Sequence, residues 1–257
     1  MKLCITTLVD ENYVAYIPMF SWCCKKAYPE YDIKLFVRGE GRYAPGAKVI
    51  HNFFKDYPQH GPNTIALRFA IPGEHYKEYD YVYITDIDIM IIRESPTLLD
   101  FHLKEMQMTG LCYSNSIRNS KHWQGANSLT GLHFCSKKWF EKTEGQAENF
   151  RKYLKVAEVR REYDGHMLAI MAENTRIGKP GKFRLATRHH GIHLGNFRLM
   201  KKLKKLKVRM PRNFCAAWKG YLSDPEFSEI CTRARQESSM IDRQLTKLDE
   251  LCKRMLV

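Results

Sequence analysis

Two aspartates separated by one residue, Asp86 and Asp88, follow an apolar run in the first half of the 257-residue chain. Residues 81–85 have the β-branched and aromatic composition of a buried strand, and a second apolar run begins at Ile89. Two carboxylates in this setting repel each other and lose hydration, and a divalent cation removes that cost. Because Mg²⁺ and Mn²⁺ prefer oxygen ligands and also bind substrate phosphates, the motif predicts a metal site. The alternative of two solvated aspartates stays open on the motif alone.

The elements around the two aspartates follow an alternating pattern. Strands are predicted at residues 3–8, 33–37, 49–53 and 81–85, and helices at residues 15–27 and 63–71. Such alternation favours an α/β fold with a mixed, mostly parallel central sheet and helices on both faces. Ligands bind at the carboxyl ends of the strands in such sheets, which is where the aspartates lie. In the less regular second half, strands are predicted at residues 107–113 and 129–135, and helices at residues 137–156 and 164–173.

Apolar residues near the end of the chain recur in steps of four and three. They are Ile241, Leu245, Leu248, Cys252 and Met255. This spacing predicts a helix with one apolar face. We expect this helix to pack on its own domain, and a short coiled coil is the alternative.

The composition is strongly basic, with a formal net charge of +14 at pH 7. Residues 198–212 hold eight basic residues and no acidic one, which implies attraction to nucleic acid, an anionic membrane face or a phosphorylated substrate. No apolar run approaches the roughly 18 residues of a membrane span, and the eight cysteines lack metal-binding spacing. We therefore expect a cytoplasmic protein with reduced cysteines, for which peripheral contact with the inner membrane face stays open.

Four further clusters of polar residues accompany the two aspartates. Residues 7–13 (T-L-V-D-E-N-Y) end the first predicted strand in a polar, aromatic turn that can hold a base and a ribose. Arg68 lies on the helix before the central strand, within T-I-A-L-R-F-A-I-P. Residues 127–139 (N-S-L-T-G-L-H-F-C-S-K-K-W) are small and polar where the sheet resumes. Residues 188–198 (R-H-H-G-I-H-L-G-N-F-R) combine three histidines with glycines that let the backbone approach a ligand.

In their order along residues 3–200, these motifs resemble those of the GT-A fold glycosyltransferases. They are most similar to family 8, which includes lipopolysaccharide galactosyltransferases and glycogenin. The family has a first strand followed by D-x-N-Y, a helix with Y-x-R-L-x-I-P, the metal motif V-x-Y-L-D-x-D and a later H-x-x-G-x-x-K-P-W. The resemblance implies a single Rossmann-like GT-A domain over residues 1–200 and a basic, helical extension packed on it over residues 201–257.

The resemblance also implies that the donor is a UDP-sugar. Arg68 would contact the donor sugar or its phosphates, and Asp86 would touch the ribose as well as the metal. Arg198 takes the place of a family lysine on the diphosphate, and arginine pairs well with phosphate. The other donor-binding residues implied are Thr7, Asp10, Asn12, Tyr13 and Gly195.

The metal, Mn²⁺ or Mg²⁺, would be bound by Asp86, Asp88 and His193 according to the resemblance. One residue separates His193 from Gly195 here, where the family has two. His190 is therefore a rival ligand, and the sequence leaves both histidines open.

The resemblance implies Asp164 and Arg68 as the catalytic residues. The family's D-Q-D-x-L-N block is reduced here to D-G-H, which begins at Asp164. Asp164 is therefore the candidate to face the reacting sugar, and retention of the anomeric configuration is expected from the family.

These features together predict a metal-dependent hexosyltransferase that uses a UDP-sugar and an anionic acceptor. A cell-surface or lipid-linked glycan fits the family and a basic helix lying on an anionic membrane. Modified viral DNA matches the charge equally well. A different class of function is a catalytically inactive module that binds nucleic acid through residues 198–212.

Overall fold

The computed structural model of the protein describes residues 1–58, 61–119, 127–160, 163–179, 190–198 and 213–255. The strands are β1 (Leu3–Val9), β2 (Asp32–Val37), β3 (Ala47–Ile50), β4 (Tyr81–Ile84), β5 (Ile89–Ile91), β6 (Tyr113–Ser114), β7 (Ile117–Asn119), β8 (Asn127–Leu129), β9 (His133–Ser136) and β10 (Gly191–His193). The α-helices are α1 (Ile17–Ala27), α2 (Gly61–Leu67), α3 (Leu98–Thr109), α4 (Lys137–Val156), α5 (Tyr163–Asn174), α6 (Phe214–Leu222), α7 (Pro225–Glu237) and α8 (Ser239–Met255). Short 3₁₀ helices lie at Glu11–Tyr16, Gly73–Tyr76 and Leu194–Arg198.

Six strands form one sheet in the order β3-β2-β1-β4-β9-β6. β1 pairs in parallel with β2 and β4, β2 pairs in parallel with β3, and β9 is antiparallel to both of its neighbours. Alternate residues of β1 enter different clusters of the core, Ile5 on one face of the sheet and Cys4 on the other. The predicted α/β fold with a mixed, mostly parallel sheet is therefore confirmed.

The two central strands end side by side. Thr6 of β1 lies opposite Ile84 of β4, so the segments that follow both strands emerge at the same edge of the sheet. Both strands are interior to the sheet and carry buried, mostly β-branched and aromatic side chains, which is why their local composition identifies them.

The strand predicted at residues 107–113 is wrong over most of its length, and the one predicted at residues 129–135 is divided between β8 and β9. Residues 107–109 belong to α3, because Thr97 caps this helix by accepting a hydrogen bond from the Asp100 backbone N–H at 3.2 Å. Gly110 ends the helix in the left-handed conformation, with a φ of +68°. The strand predicted at residues 129–135 is interrupted, because Asn115 Oδ1 accepts hydrogen bonds from the Thr130 backbone at 2.9 Å and its hydroxyl at 2.7 Å.

The C-terminal helices pack on the same core as the sheet. Leu245 and Leu248 of α8 are completely buried and share a hydrophobic cluster with Ile5 of β1. Trp22 of α1 packs against Phe227 of α7 with ring centroids 4.5 Å apart. The basic residues 199–212, and with them the boundary predicted near residue 200, lie outside the described residues. Within the described ranges, no helix has the length and apolar character that crossing a bilayer requires.

Replacing Leu245 with alanine is expected to lower the free energy of unfolding by about 2–5 kcal/mol, because it leaves a cavity at a fully buried position. Glu250→Ala, at an exposed position of the same helix, should change that free energy by at most about 0.5 kcal/mol. Urea denaturation followed by circular dichroism measures both variants. Equal effects of the two substitutions would contradict the packing of α8 on the core.

Candidate metal centre

Asp86 and Asp88 lie in the turn between β4 and β5, at the carboxyl end of a central strand. The Ile89 backbone N–H donates to the Asp86 carbonyl at 3.3 Å, which keeps the turn tight. Ile87 and Ile89 are buried, and this burial draws the turn into the protein. Asp88 is only 6% exposed and Asp86 is half-buried, so both carboxylates are partly withdrawn from water. Repulsion between them is stronger there than in solvent.

Strand β10 brings His193 to this turn. β10 pairs antiparallel with β5, with His193 opposite Ile89, and the Leu194 backbone N–H donates to the Asp88 carbonyl at 2.8 Å. His193 Nε2 consequently lies 3.3 Å from Asp88 Oδ1. One possible ligand atom from each of Asp86, Asp88 and His193 falls within 4.8 Å of the other two. The structure thus brings together the three residues predicted to bind the metal.

Gly195 leaves a small space open beside these groups. A Cβ atom at this position would lie 2.6 Å from Asp88 Oδ2 and 2.9 Å from His193 Nε2. Two candidate ligand atoms therefore face a space that a larger residue would fill. The donor set of two carboxylates and an imidazole, together with this space, fits a divalent cation such as Mn²⁺ or Mg²⁺.

His190, the rival ligand, makes its contacts in the core instead. Its side chain is completely buried. His190 Nδ1 lies 2.8 Å from Glu94 Oε2, and His190 Nε2 lies 3.0 Å from His102 Nε2. Because both ring nitrogens have these partners, the geometry favours His193 as the ligand.

Arg68 lies between Asp86 and a third carboxylate, that of Asp164. Arg68 directly follows the last residue of α2, so the prediction that places it inside a helix is wrong by one residue. Its side chain is buried. Arg68 Nη1 pairs with Asp86 Oδ1 and donates to the Thr85 carbonyl at 3.3 Å, while Nη2 lies 3.4 Å from Asp164 Oδ2. Burial alone would lower the pKa of Arg68, but the Asp86 and Asp164 carboxylates outweigh burial and raise it. The guanidinium therefore stays charged.

A cleft of about 480 Å³ opens in front of these groups, a volume within the usual range for small-molecule sites. The predicted site residues that line it are Thr7, Asp10, Tyr13, Arg68, Asp86, Asp88, Asp164 and His193. Asp10 Oδ1 accepts a hydrogen bond from the Asn12 backbone N–H at 2.9 Å, and burial raises the pKa of Asp10. The cleft therefore joins the turn after β1 to the metal centre.

Two predicted donor-binding residues, Asn12 and Gly195, are not among the described residues that line the cleft. Asn12 is exposed and contributes its backbone N–H to Asp10. Gly195 adjoins Asp88 and His193, and the side chain of Arg198 falls outside the described part of the chain.

The predicted site residues leave out part of the cleft, namely Pro62, Thr64 and Ile65 of α2, although the last two stand in the motif that contains Arg68. A Gly-Pro pair at the start of this helix is their only local signal, and it indicates a helix start rather than a binding role.

No protein-family model matches the sequence, and the comparison with curated proteins found no match. Among solved structures, the chain is similar to glycosyltransferases, the class of protein that its motifs resemble. The galactosyltransferase LgtC in complex with donor and acceptor sugar analogs is 18% identical, with a TM-score of 0.45 over 68% of this chain and 70% of that chain. The apo form of the glycosyltransferase GlyE from Streptococcus pneumoniae TIGR4 is 15% identical, with a TM-score of 0.40 over 68% and 44%. The bifunctional glycosyltransferase WbbM is 13% identical, with a TM-score of 0.40 over 68% and 37%. At these sequence identities and TM-scores, the chemistry of the site has to be inferred from its own side chains.

Gly195→Ala is expected to weaken Mn²⁺ binding at least about tenfold, or ~1.4 kcal/mol, because the new methyl group would occupy the space between Asp88 Oδ2 and His193 Nε2. Isothermal titration calorimetry on the purified protein measures the Kd. Gly220→Ala is the matched control, since a Cβ atom there meets nothing within 4 Å. Unchanged Mn²⁺ affinity in Gly195→Ala would contradict the assignment of this space to a metal.

Proposed function

We propose that the protein is a metal-dependent glycosyltransferase that moves a hexose from a UDP-sugar to an acceptor hydroxyl. The observation that carries this proposal is the convergence of Asp86, Asp88 and His193 at a cleft of suitable size. A sugar nucleotide is already activated, because its leaving group is a diphosphate. The protein then has to neutralise the charge that develops on the diphosphate and to orient the acceptor hydroxyl.

Asp86, Asp88 and His193 would hold a divalent cation, which supplies Lewis-acid stabilisation of the diphosphate when bound. The chain itself keeps these three residues in place. Arg68 pairs with Asp86 from the buried side, so this carboxylate keeps its orientation at the cleft. The hydrogen bond from Leu194 to the Asp88 carbonyl ties the aspartate turn to the strand that carries His193.

We assign the uridine to the turn after β1. Thr7, Asp10 and Tyr13 line this part of the cleft, and Asn12 belongs to the same turn. The ring of Tyr13 stacks on Tyr16 with centroids 5.6 Å apart, which gives a supported aromatic surface for a base.

We assign the diphosphate to the segment after His193. Gly195 and Arg198 lie on the 3₁₀ helix that follows β10 directly, so their backbone continues from the metal ligand. An arginine at this distance along the chain can pair with two oxygens of a phosphate through two parallel hydrogen bonds.

We assign the reacting sugar to the part of the cleft that Arg68 and Asp164 line. Asp164 is 6% exposed and held by the guanidinium, so its carboxylate is fixed before a substrate arrives. A fixed carboxylate there would stabilise the glycosyl carbon as it becomes cation-like, and Arg68 would offset the charge on the donor phosphates. Retention of the anomeric configuration is the expected stereochemical outcome.

Asp88→Asn is expected to lower Mn²⁺-dependent UDP-sugar hydrolysis at least about a hundredfold, which corresponds to ~2.7 kcal/mol, because one charged ligand is lost. Release of UDP from UDP-glucose and UDP-galactose, with Mn²⁺ and with excess chelator, is the measurement. In the wild type, calorimetry should also show UDP binding that strengthens with Mn²⁺.

Asp56→Asn serves as the control for this experiment, since Asp56 is an exposed aspartate elsewhere on the chain. It should hydrolyse UDP-sugar at the wild-type rate. Full activity of Asp88→Asn in a folded protein, or of the wild type in chelator, would refute the metal-dependent mechanism. Absence of any turnover with any UDP-sugar would favour the inactive binding module.

We further propose that residues 199–212 attract an anionic acceptor, a cell-surface or lipid-linked glycan, at an anionic membrane surface. Five of these residues are the lysines Lys201, Lys202, Lys204, Lys205 and Lys207. They follow the proposed diphosphate ligand Arg198 and are too numerous for one diphosphate. Peripheral contact of a cytoplasmic enzyme with the inner membrane face would explain why all charged residues of this segment are positive.

Replacing Lys201, Lys204 and Lys207 with glutamine should reduce binding to vesicles that contain anionic lipid at least about tenfold, because each lysine near such a surface contributes about 1 kcal/mol. UDP-sugar hydrolysis should be unchanged. The control replaces three exposed lysines of α4, Lys137, Lys138 and Lys142. Vesicle sedimentation at low and high salt measures binding, and duplex DNA is tested beside the vesicles. Loss of hydrolysis together with binding would place the lysines in the donor site instead, and preferential loss of DNA binding would favour the DNA acceptor.

A further inference from the structure

Five polar side chains form a hydrogen-bonded chain in the core behind β10. In order, they are Glu94, His190, His102, Ser114 and Glu105. The Glu94 side chain is 8% exposed, and the other four residues are 0–7% exposed. The successive contacts are 2.8 Å from Glu94 Oε2 to His190 Nδ1, 3.0 Å between the two histidine Nε2 atoms, and 2.7 Å from His102 Nδ1 to Ser114 Oγ. The Ser114 hydroxyl then donates to Glu105 Oε2.

The direction of these hydrogen bonds determines where the protons lie. Because Ser114 donates to the Glu105 carboxylate, its oxygen accepts from His102, which therefore carries its proton on Nδ1. His102 Nε2 then accepts, so His190 donates through Nε2. An ionised Glu94 can only accept as well, which requires a second proton on His190. The hydrogen-bonded series of side chains thus contains a neutral His102 and a positively charged His190, and His190 is paired with Glu94.

The surroundings agree with a neutral His102. Burial and the charge of His190 hold the pKa of His102 well below its ordinary value. Its ring also stacks on Phe134 with centroids 4.5 Å apart. The rings of Tyr83 and Phe101 lie nearly perpendicular to the His190 ring, with centroids 5.7 Å and 5.4 Å away, and Glu94 supplies a charge partner.

His190 stands at the entrance to β10. Its carbonyl accepts a hydrogen bond from the Ile92 backbone N–H at 3.1 Å, which begins the ladder that ends at Leu194 and Asp88. His190 has a φ of +52°. Residues other than glycine adopt this backbone conformation only when the surrounding contacts offset its cost in free energy. The next residue, Gly191, lies so close to β5 that a Cβ atom would be 2.2 Å from the Met90 carbonyl.

We propose that the buried Glu94–His190 pair anchors β10 in its register on β5 and thereby positions His193 beside Asp88. β10 has only three residues, so its own ladder is weak. A shift by one residue would turn His193 to the opposite face of the strand. The charged pair opposes such a shift, because it would leave a buried imidazolium and a buried carboxylate apart. The consequence for metal binding rests on the proposed function.

The proposal can be tested with two truncations, one inside this hydrogen-bonded chain and one outside it. Glu94→Ala removes the partner of His190, whereas Glu144→Ala removes a glutamate of α4 that pairs with Arg151 and accepts from the Gly73 backbone N–H, away from β10. Hydrogen exchange without metal, followed by NMR, reports on the Leu194 and Ile92 amides, and the Ile5 amide of β1 serves as the internal reference. A Mn²⁺ titration follows on each variant.

In Glu94→Ala, the Leu194 and Ile92 amides should exchange at least about tenfold faster than in the wild type, the Ile5 amide should be unchanged, and the Kd for Mn²⁺ should rise at least about tenfold. Glu144→Ala should change each quantity by less than about twofold. Glu94→Gln should restore only part of the protection, since its amide can donate to Nδ1 of a neutral His190 but the attraction between the two charges is lost. Equal behaviour of Glu94→Ala and Glu144→Ala would overturn the proposal.

A measurement on the wild type requires no substitution. ¹⁵N NMR of the histidine rings near neutral pH should show two ring N–H groups on His190 and a single one, on Nδ1, for His102. A neutral His190 would overturn the charged anchor. If the wild type binds no Mn²⁺, the proposed metal centre fails, while amide exchange still decides whether Glu94 anchors β10.

Discussion

The fold has to hold three carboxylates at one edge of the sheet, and the buried guanidinium of Arg68 is the interaction that allows this. Arg68 pairs with Asp86 after β4 and with Asp164 at the start of α5, so one charge joins two elements that are distant in sequence. Removing one partner of a buried ion pair leaves an uncompensated charge, which typically costs about 3–5 kcal/mol. The arrangement still has more carboxylates than guanidinium groups, because Asp88 lies in the same cleft. In the proposed function, this negative excess is what would draw a cation to the site.

The second constraint is the attachment of β10, which carries His193. Ile192, Leu194 and Phe197 on and after this strand belong to the same hydrophobic cluster as Leu245 of α8. The C-terminal helices therefore support the segment that supplies the third proposed metal ligand, although none of the described residues that line the cleft belongs to these helices. Packing of the C-terminal helices therefore affects the position of His193 at the candidate metal site. The apolar face of this helix is buried from Ile241 to Cys252, whereas Met255 at its end is exposed.

Local signals explain what could be predicted from the sequence. β4 and α4 were predicted within a residue of their bounds, because alternation, composition and length decide them locally. Residues 107–113 mix methionine, threonine and leucine, which suit a helix or a strand, and only the capping by Thr97 and Gly110 decides between them. The choice between His190 and His193 depends on the register of β10 against β5, about a hundred residues earlier in the chain. No local pattern carries that information.

Charge balance links the metal to the donor in the proposed function. The cleft has excess negative charge, and a diphosphate brings more of the same sign. Two unit charges of like sign 4 Å apart repel by about 4 kcal/mol at an effective dielectric constant of 20. A diphosphate beside Asp86 and Asp88 would therefore bind poorly without a cation between them, and a cation bound first removes this repulsion. Arg68 does not replace the cation, because its guanidinium already pairs with Asp86 and Asp164 and therefore offsets only part of the negative charge at this edge. Metal and nucleotide are therefore expected to bind this site cooperatively, and the cooperativity would originate in the same carboxylates that are proposed to bind the metal.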